Sequence, residues 1–326
     1  MARKPTARKP GPRLGLCCLF RDEPIKFRTT TATACLRLTR SEQLRKLAEL
    51  CLHNALALQA AIAFCAQHEI GAFRVNSQFW PIKTHPQAGY RLEELPDHAA
   101  IASALAGCRL AAQSLDVRLS FHPDQFVVLN SPREEVVISS LQELEYQAEA
   151  AEWIGADVVN IHAGGAYGDK PAALERLCRN LDRLSERVRT RLTLENDDRT
   201  YTPAELLPLC RATGVPLCYD VHHHRCLPDG ASVAATTTAA RKTWSQCGTP
   251  REPLFHLSSP RAGWQNPQPQ FHHDLIDLND FPECWRKLSI TVDVEAKAKE
   301  VAVQKLWREL RGLEKIGKGE RGASAP

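Results

Sequence analysis

The sequence predicts an α/β protein built as one (β/α)8 TIM barrel, on three observations. Eight short apolar runs alternate with longer helix-period stretches from Arg13 to about Leu310. No Gly-x-Gly-x-x-Gly turn, the mark of an open doubly wound sheet, follows any of them. Six of the runs end in a side chain able to ligate metal, and in a closed barrel the strand ends meet at one mouth.

Taken in order, the expected strands are residues 14–18, 72–75, 117–121, 158–161, 192–194, 217–219, 254–257 and 290–294. Helical periodicity covers 39–67, 134–154, 170–188, 202–212 and 233–246. Thr39 and Ser41 open the first of these, Pro132 precedes the second, and Thr202-Pro203 puts proline in a first turn, where its missing N–H costs nothing. Gly71, Gly155 and Gly214 each stand between a helix and a strand, as stop residues do. The barrel domain is expected over 13–310, between a disordered basic leader at 1–12 and a flexible tail at 311–326. No internal repeat or second domain is apparent.

A chain of 326 residues, 43% apolar and 25% charged, can bury roughly three quarters of its unfolded surface. That excludes a disordered chain and a disulfide-stapled miniprotein. No window of eighteen uninterrupted apolar residues exists, so no membrane role is expected. The twelve cysteines are scattered, without a C-x-x-C pair, and read as reduced core residues of a cytoplasmic protein. Of the net charge of +4, residues 1–13 alone carry +5, so the remainder is close to neutral. Phosphate contacts are therefore expected from the leader and from a local basic groove, not from the overall charge.

The chemistry lies at the ends of the runs RLSFH, VVNIH, LTLEN, PLCYD, PLFH and ITVDVE. These present His122, His162, Glu195, Asp220, His256 and Glu295 at the mouth, as the expected catalytic and metal-binding set. Carboxylates gathered there would repel one another and take up protons unless cations neutralised them. Mixed imidazole and carboxylate donors suit Mn²⁺, Zn²⁺ or Fe²⁺ better than Mg²⁺ or Ca²⁺. Six donors exceed the needs of one ion, so two ions sharing Glu195 are expected. Further imidazoles follow in Asp220-Val221-His222-His223-His224 and His272-His273-Asp274. Of these, His223 and His272 are candidates for a third site, whereas His222, His224 and His273 read as exposed polar residues. Clustered ions suit phosphodiester hydrolysis, because one acidifies the attacking water and another stabilises the leaving oxygen. Neither a Gly-x-Ser-x-Gly elbow nor a P-loop is present.

The segments FHPDQFVVLNSP, NIHAGGAYGDK, TLENDDRTYTP, YDVHHH, FHLSSP and VEAKAKE, in that order, resemble the UV damage endonuclease family over roughly residues 13–305. The resemblance implies a barrel related to the apurinic-site endonucleases, acting on damaged double-stranded DNA with two or three divalent ions and no organic cofactor. It implies cleavage immediately 5′ of a photolesion, leaving a 3′-hydroxyl. Carried onto this chain, His122, His162 and Glu195 hold one ion; Glu195, Asp220, His256 and Glu295 hold its neighbour; His223 and His272 belong to the third. Gln125-Phe126 corresponds to a probe that enters the duplex at the lesion, where a poorly stacked step opens cheaply. Lys297 and Lys299 are candidate phosphate contacts.

The chain departs from that pattern in three places. Leu254 stands where some members carry a lysine modified to a metal-binding carbamate. Phe126 stands where related enzymes often have tyrosine, and LGLCCLF lacks an aromatic and an asparagine that some relatives place near the lesion. Two other functions fit parts of the sequence. A xylose-isomerase-like sugar isomerase or epimerase would use Glu195, Asp220, His256 and Glu295 but leaves His122 and His162 unexplained. A lesion-binding protein without hydrolytic activity is the other. A monomer is expected.

Overall fold

The structure, a computed structural model, describes residues 11–322, and residues 11–313 with their side chains. Most of the expected basic leader lies outside the described residues. Eight parallel strands close into one barrel in sequence order. They are β1 (Arg13–Cys17), β2 (Ala72–Val75), β3 (Arg118–Phe121), β4 (Val158–His162), β5 (Leu192–Glu195), β6 (Leu217–Asp220), β7 (Leu254–Leu257) and β8 (Thr291–Val294). Pairing of Gly15 with Asp293 in β1 and β8 completes the ring. Around it run α1 (Ala32–Leu36), α2 (Arg40–Gln67), α3 (His98–Ser114), α4 (Glu134–Ile154), α5 (Lys170–Leu181), α6 (Glu186–Arg189), α7 (Pro203–Thr213), α8 (Val221–Cys226), α9 (Val233–Gln246) and α10 (Glu300–Gly322).

Alternation along each strand sorts the side chains. Leu14, Leu16, Phe73, Leu119, Phe121, Val159, Ile161, Leu194, Tyr219, Phe255 and Val292 belong to one large apolar cluster with the helices. The opposite parity is polar over most of its length: Arg74, Ser120, Asn160, Thr193 and Asp293 lie inside the ring. Lower down, a separate cluster of Val158, Cys218, Leu254 and Trp244 fills the floor. Trp244 lies between the guanidinium groups of Arg118 and Arg251, 5.9 and 5.4 Å from its ring. The chain thus keeps its hydrophobic layer outside the barrel and its polar groups beneath the mouth.

The helix boundaries follow from capping. Thr39 and Glu42 form a capping box at α2, and Thr202 and Glu205 another at α7. Gly155 and Gly214 end α4 and α7 with φ of +80° and +72°. Gly71 is not such a stop: Glu69 takes the left-handed conformation after α2. A Cβ at Gly71 would lie 2.4 Å from Cγ of Arg13, whose Nη1 donates to the Gly71 carbonyl. The residue is small because a side chain from β1 crosses it.

The helix expected over 170–188 is two, because Ser185 caps a second one by accepting from the Val188 N–H. The tail expected from 311 is helical as far as Gly322. By length and composition α2 could cross a bilayer, but Leu47, Cys51, Ala55, Leu58, Ile62 and Cys65 are buried in the packed ring. All twelve cysteines are free thiols.

Candidate active site

Glu195 is the centre of the mouth. Its side chain is buried, with His122 Nε2 at 2.9 Å and His162 Nε2 at 4.0 Å from Oε2. On the other oxygen, Oε1, lie His256 Nδ1 at 3.1 Å and His223 Nδ1 at 3.3 Å. One carboxylate therefore faces imidazoles from two sides, the disposition a bridging ligand needs. Glu295 Oε1 is 3.4 Å from His256 Nδ1, and Asp220 Oδ2 is 3.4 Å from His223 Nδ1. Among the described residues, donor atoms within 4.8 Å of one another form four groups: His122, His162 and Glu195; Glu195, Asp220 and His223; Asp220, His256 and Glu295; and Glu195, Cys218 and His256.

The electrostatics match this arrangement. Burial opposes ionisation of Glu195, but His256, His162, His122 and His223 hold its carboxyl well below the usual range. Burial likewise opposes charge on Glu295, and Arg74 and His256 outweigh it. His223 is pushed up to about 10: burial works against protonation, and Asp220 and Glu195 overcome it. Burial lowers His162.

His162 Nδ1, Asp220 Oδ2 and both nitrogens of His256 are buried without a hydrogen-bond partner. Polar atoms left so are costly, and their convergence with carboxylates fits a divalent cation, which would satisfy them. An outer partner is in place as well for His122, whose Nδ1 lies 3.0 Å from the Pro123 carbonyl while its Nε2 faces Glu195.

Four residues that support the mouth were missed in the sequence. Asn160 donates to Glu195 Oε2 at 2.5 Å, and its own Oδ1 accepts from Thr193 Oγ1 at 2.7 Å. Arg74 donates through Nη1 to Glu295 Oε1. Asp293 is buried with neither oxygen bonded, 3.9 Å from His256 Nε2; burial raises its pKa despite Arg74. Cys218 joins Glu195 and His256. Three of these, Asn160, Cys218 and Asp293, stand two residues upstream of a candidate ligand, which lies on the same strand for Asn160 and Cys218 and just beyond the strand's end for Asp293. The period of two was signal enough to find them.

Two histidines read as exposed are not. His222 is buried against Trp264 and His272, with ring centroids at 5.2 Å from each, and His224 is bonded to Tyr219 and Asp229. The helical turn of α8 rotates both inward. His273 is exposed as expected, and His272 lies at the rim, its Nδ1 3.8 Å from Glu295 Oε2.

Residues 12–323 match the sequence pattern of the family described as UV-endonuclease UvdE. The chain belongs to that family. It is 37% identical over 312 residues to the UV DNA damage endonuclease of Deinococcus radiodurans, covering 90% of this chain and 94% of that protein. The crystal structure of SacUVDE superposes with a TM-score of 0.80 at 27% identity, covering 93% of this chain and 99% of that one. Endonuclease IV from Thermus thermophilus, at 17% identity, shares the fold with a TM-score of 0.58 over 93% of this chain and all of that one. As a UV damage endonuclease family member, the chain is a DNA-repair endonuclease.

In this family member Gln125 and Phe126 lie in the loop after β3. Phe126 is 79% exposed, and Gln125 beside it is exposed too, so ordinary packing beneath a loop does not account for the ring. The turn is closed by Val127 N–H donating to Asp124 at 3.0 Å. Lys297, exposed, and Lys299, half-buried at φ +51°, follow Glu295 directly. Leu254 lies in the floor with Val158, Cys218 and Trp244 and offers no donor.

Proposed function

We propose that this UV damage endonuclease family member hydrolyses the DNA backbone immediately 5′ of a photolesion, leaving a 3′-hydroxyl, with two or three divalent ions held at the barrel mouth. The observation that carries the reading is the position of Glu195 between His122 and His162 on one oxygen and His256 and His223 on the other. In it, His122, His162 and Glu195 hold one ion, Glu195, Asp220, His256 and Glu295 the next, and His223 and His272 contribute to a third. When bound, such ions acidify a water and stabilise the leaving oxygen; Mn²⁺ is our choice, ahead of Zn²⁺ or Fe²⁺.

The protein's own part is positional. Asn160 and Arg74 hold the carboxylates of Glu195 and Glu295 in orientation, and the Pro123 carbonyl fixes the His122 ring. Gln125 and Phe126 enter the duplex where stacking is already weakened, so selection rests on deformability and not on base edges. Lys297 and Lys299 contact phosphate. The partner is damaged double-stranded DNA; the protein acts as a cytoplasmic monomer without an organic cofactor.

The test is a duplex with a single pyrimidine dimer, incubated with protein and Mn²⁺, with and without a chelator. A nick immediately 5′ of the dimer, extendable by a polymerase and absent with chelator, is the expected result. Intact duplex in the presence of Mn²⁺ would defeat the reading. A xylose-isomerase-like activity gains nothing from the geometry, because it leaves the contact of His122 with Glu195 without a role.

A further inference from the structure

Beneath the ring of imidazoles and carboxylates one soft donor faces the same centre. Cys218 is two residues upstream of Asp220 in β6, so the strand period turns its side chain into the barrel on the same side. Its Sγ, a Glu195 oxygen and a His256 nitrogen lie within 4.8 Å of one another, and all three residues are buried. Among the described residues no other cysteine belongs to such a group. Independently, both nitrogens of the wholly buried His256 lack a hydrogen-bond partner. Val158, Leu254 and Trp244 pack on Cys218 from below. The thiol therefore has carbon on one side and the Glu195 carboxylate and the His256 imidazole on the other.

We propose that Cys218 is a metal ligand, its thiolate joining Glu195 and His256 on one divalent ion at the lower edge of the centre. This rests on the reading of the mouth as a metal centre and adds a sulfur to it. On binding, the thiol proton and the extra ring proton of His256 leave to solvent, a sulfur lone pair forms the metal–sulfur bond, and His256 binds as neutral imidazole. Two ligand atoms on one tetrahedral Zn²⁺ are separated by about 3.5 Å, so no pair among the three donors, all within 4.8 Å of one another, needs to close by more than about 1.3 Å. A thiolate favours Zn²⁺, Co²⁺ or Fe²⁺ over Mn²⁺ and Mg²⁺, so the ion at this position should be one of the softer ones, with Mn²⁺ kept to the positions that lack sulfur.

Full-length protein loaded with Co²⁺ tests this without any measurement of DNA cleavage. Visible ligand-field bands with a near-ultraviolet sulfur-to-cobalt charge-transfer band are expected in the wild type. Cys218→Ser should lose the near-ultraviolet band and keep the visible ones, whereas Cys108→Ser, remote from the mouth, should keep both. Zn²⁺ affinity of Cys218→Ser should fall at least about tenfold, since even outer partners of ligands are worth that much, with Mn²⁺ affinity less affected. Should the variant fail to fold, X-ray absorption on the Zn²⁺-loaded wild type decides, through a sulfur neighbour at about 2.3 Å. Visible bands without the charge-transfer band, its persistence in Cys218→Ser, or a zinc site free of sulfur would overturn the proposal and leave the metal centre standing. Absence of all bands would overturn both.

Discussion

Arg74 and Glu295 form an ion pair across the closure of the barrel, the guanidinium reaching from β2 past β1 to the carboxylate that follows β8. Both side chains are largely buried. Glu295 also faces His256 at 3.4 Å and His272 at 3.8 Å. Removal of one partner from such a pair leaves an uncompensated charge and costs about 3–5 kcal/mol. Arg74→Met should lose about that much in urea unfolding without metal, and saturating metal should restore a large part, because the cation takes over the work of neutralisation. Equal unfolding of variant and wild type without metal would mean that Arg74 does not hold Glu295.

The amide of Asn160 acts on Glu195 in the same way. With its oxygen engaged by Thr193, its nitrogen is turned to the carboxylate, which fixes the amide's orientation. Asn160→Ala is expected to weaken metal binding about 10–100-fold, read by competition with a chelating dye, while the circular dichroism spectrum stays unchanged. Unaltered affinity would remove Asn160 from the support of Glu195.

The strands were legible because each carries apolar residues on the parity that meets the helices, and the grouping of candidate ligands was legible because strand ends share one mouth. His122, His162, Glu195, Asp220, His256 and Glu295 all follow from that one rule. What lies a layer deeper did not follow from residue type. Cys218 looks like any core cysteine and Leu254 like any core leucine, and only the parity of the strand separates them from outward neighbours such as Leu217 and Phe255. The run Asp220 to His224 singled out His223 but not the burial of His222 and His224, since α8 is a single short helix whose turn could not be read from the residues. Gly71 resembled a helix stop, although its smallness serves Arg13. Gly312, Gly317 and Gly319 have poor helix propensity and made the last helix read as a loose end, yet α10 continues through them.

Metal uptake should be coupled to protons. His223, pushed up to about 10, and His256, held well above the usual imidazole range by Cys218 and Glu195 against the opposing effect of burial, are both protonated at neutral pH in the metal-free protein. A metal must displace those protons. Addition of Zn²⁺ at pH 7 should release about three protons per chain, two from these imidazoles and one from the Cys218 thiol, measured with an indicator dye in weak buffer, and affinity should rise with pH. The raised pKa also makes a stability statement. The contribution of His223 is complete below its ordinary value of 6.5 and is lost as pH rises through about 10. The metal-free protein should therefore weaken across that window while the loaded protein does not. Zinc binding without proton release would contradict the protonation of these two rings.

Phe126 and Glu195 should separate recognition from hydrolysis. The ring of Phe126 is exposed and packs against nothing that its loss would leave empty, so Phe126→Ala should leave the unfolding midpoint within the ±0.5 kcal/mol typical of surface changes. Stacking of an aromatic side chain on a base is worth about 1–3 kcal/mol, or roughly 5- to 150-fold in affinity. That loss should appear on a dimer-containing duplex in a binding titration and be small on an intact one, because only a weakened step admits the wedge. Glu195→Ala should show the reverse, binding damaged duplex but failing to cut it, since the probe loop is closed by Asp124 and Val127 without help from the mouth. Equal losses on damaged and intact DNA for Phe126→Ala would make the ring a general contact and not a lesion probe. Residual cutting by Glu195→Ala would take the bridging role from that carboxylate.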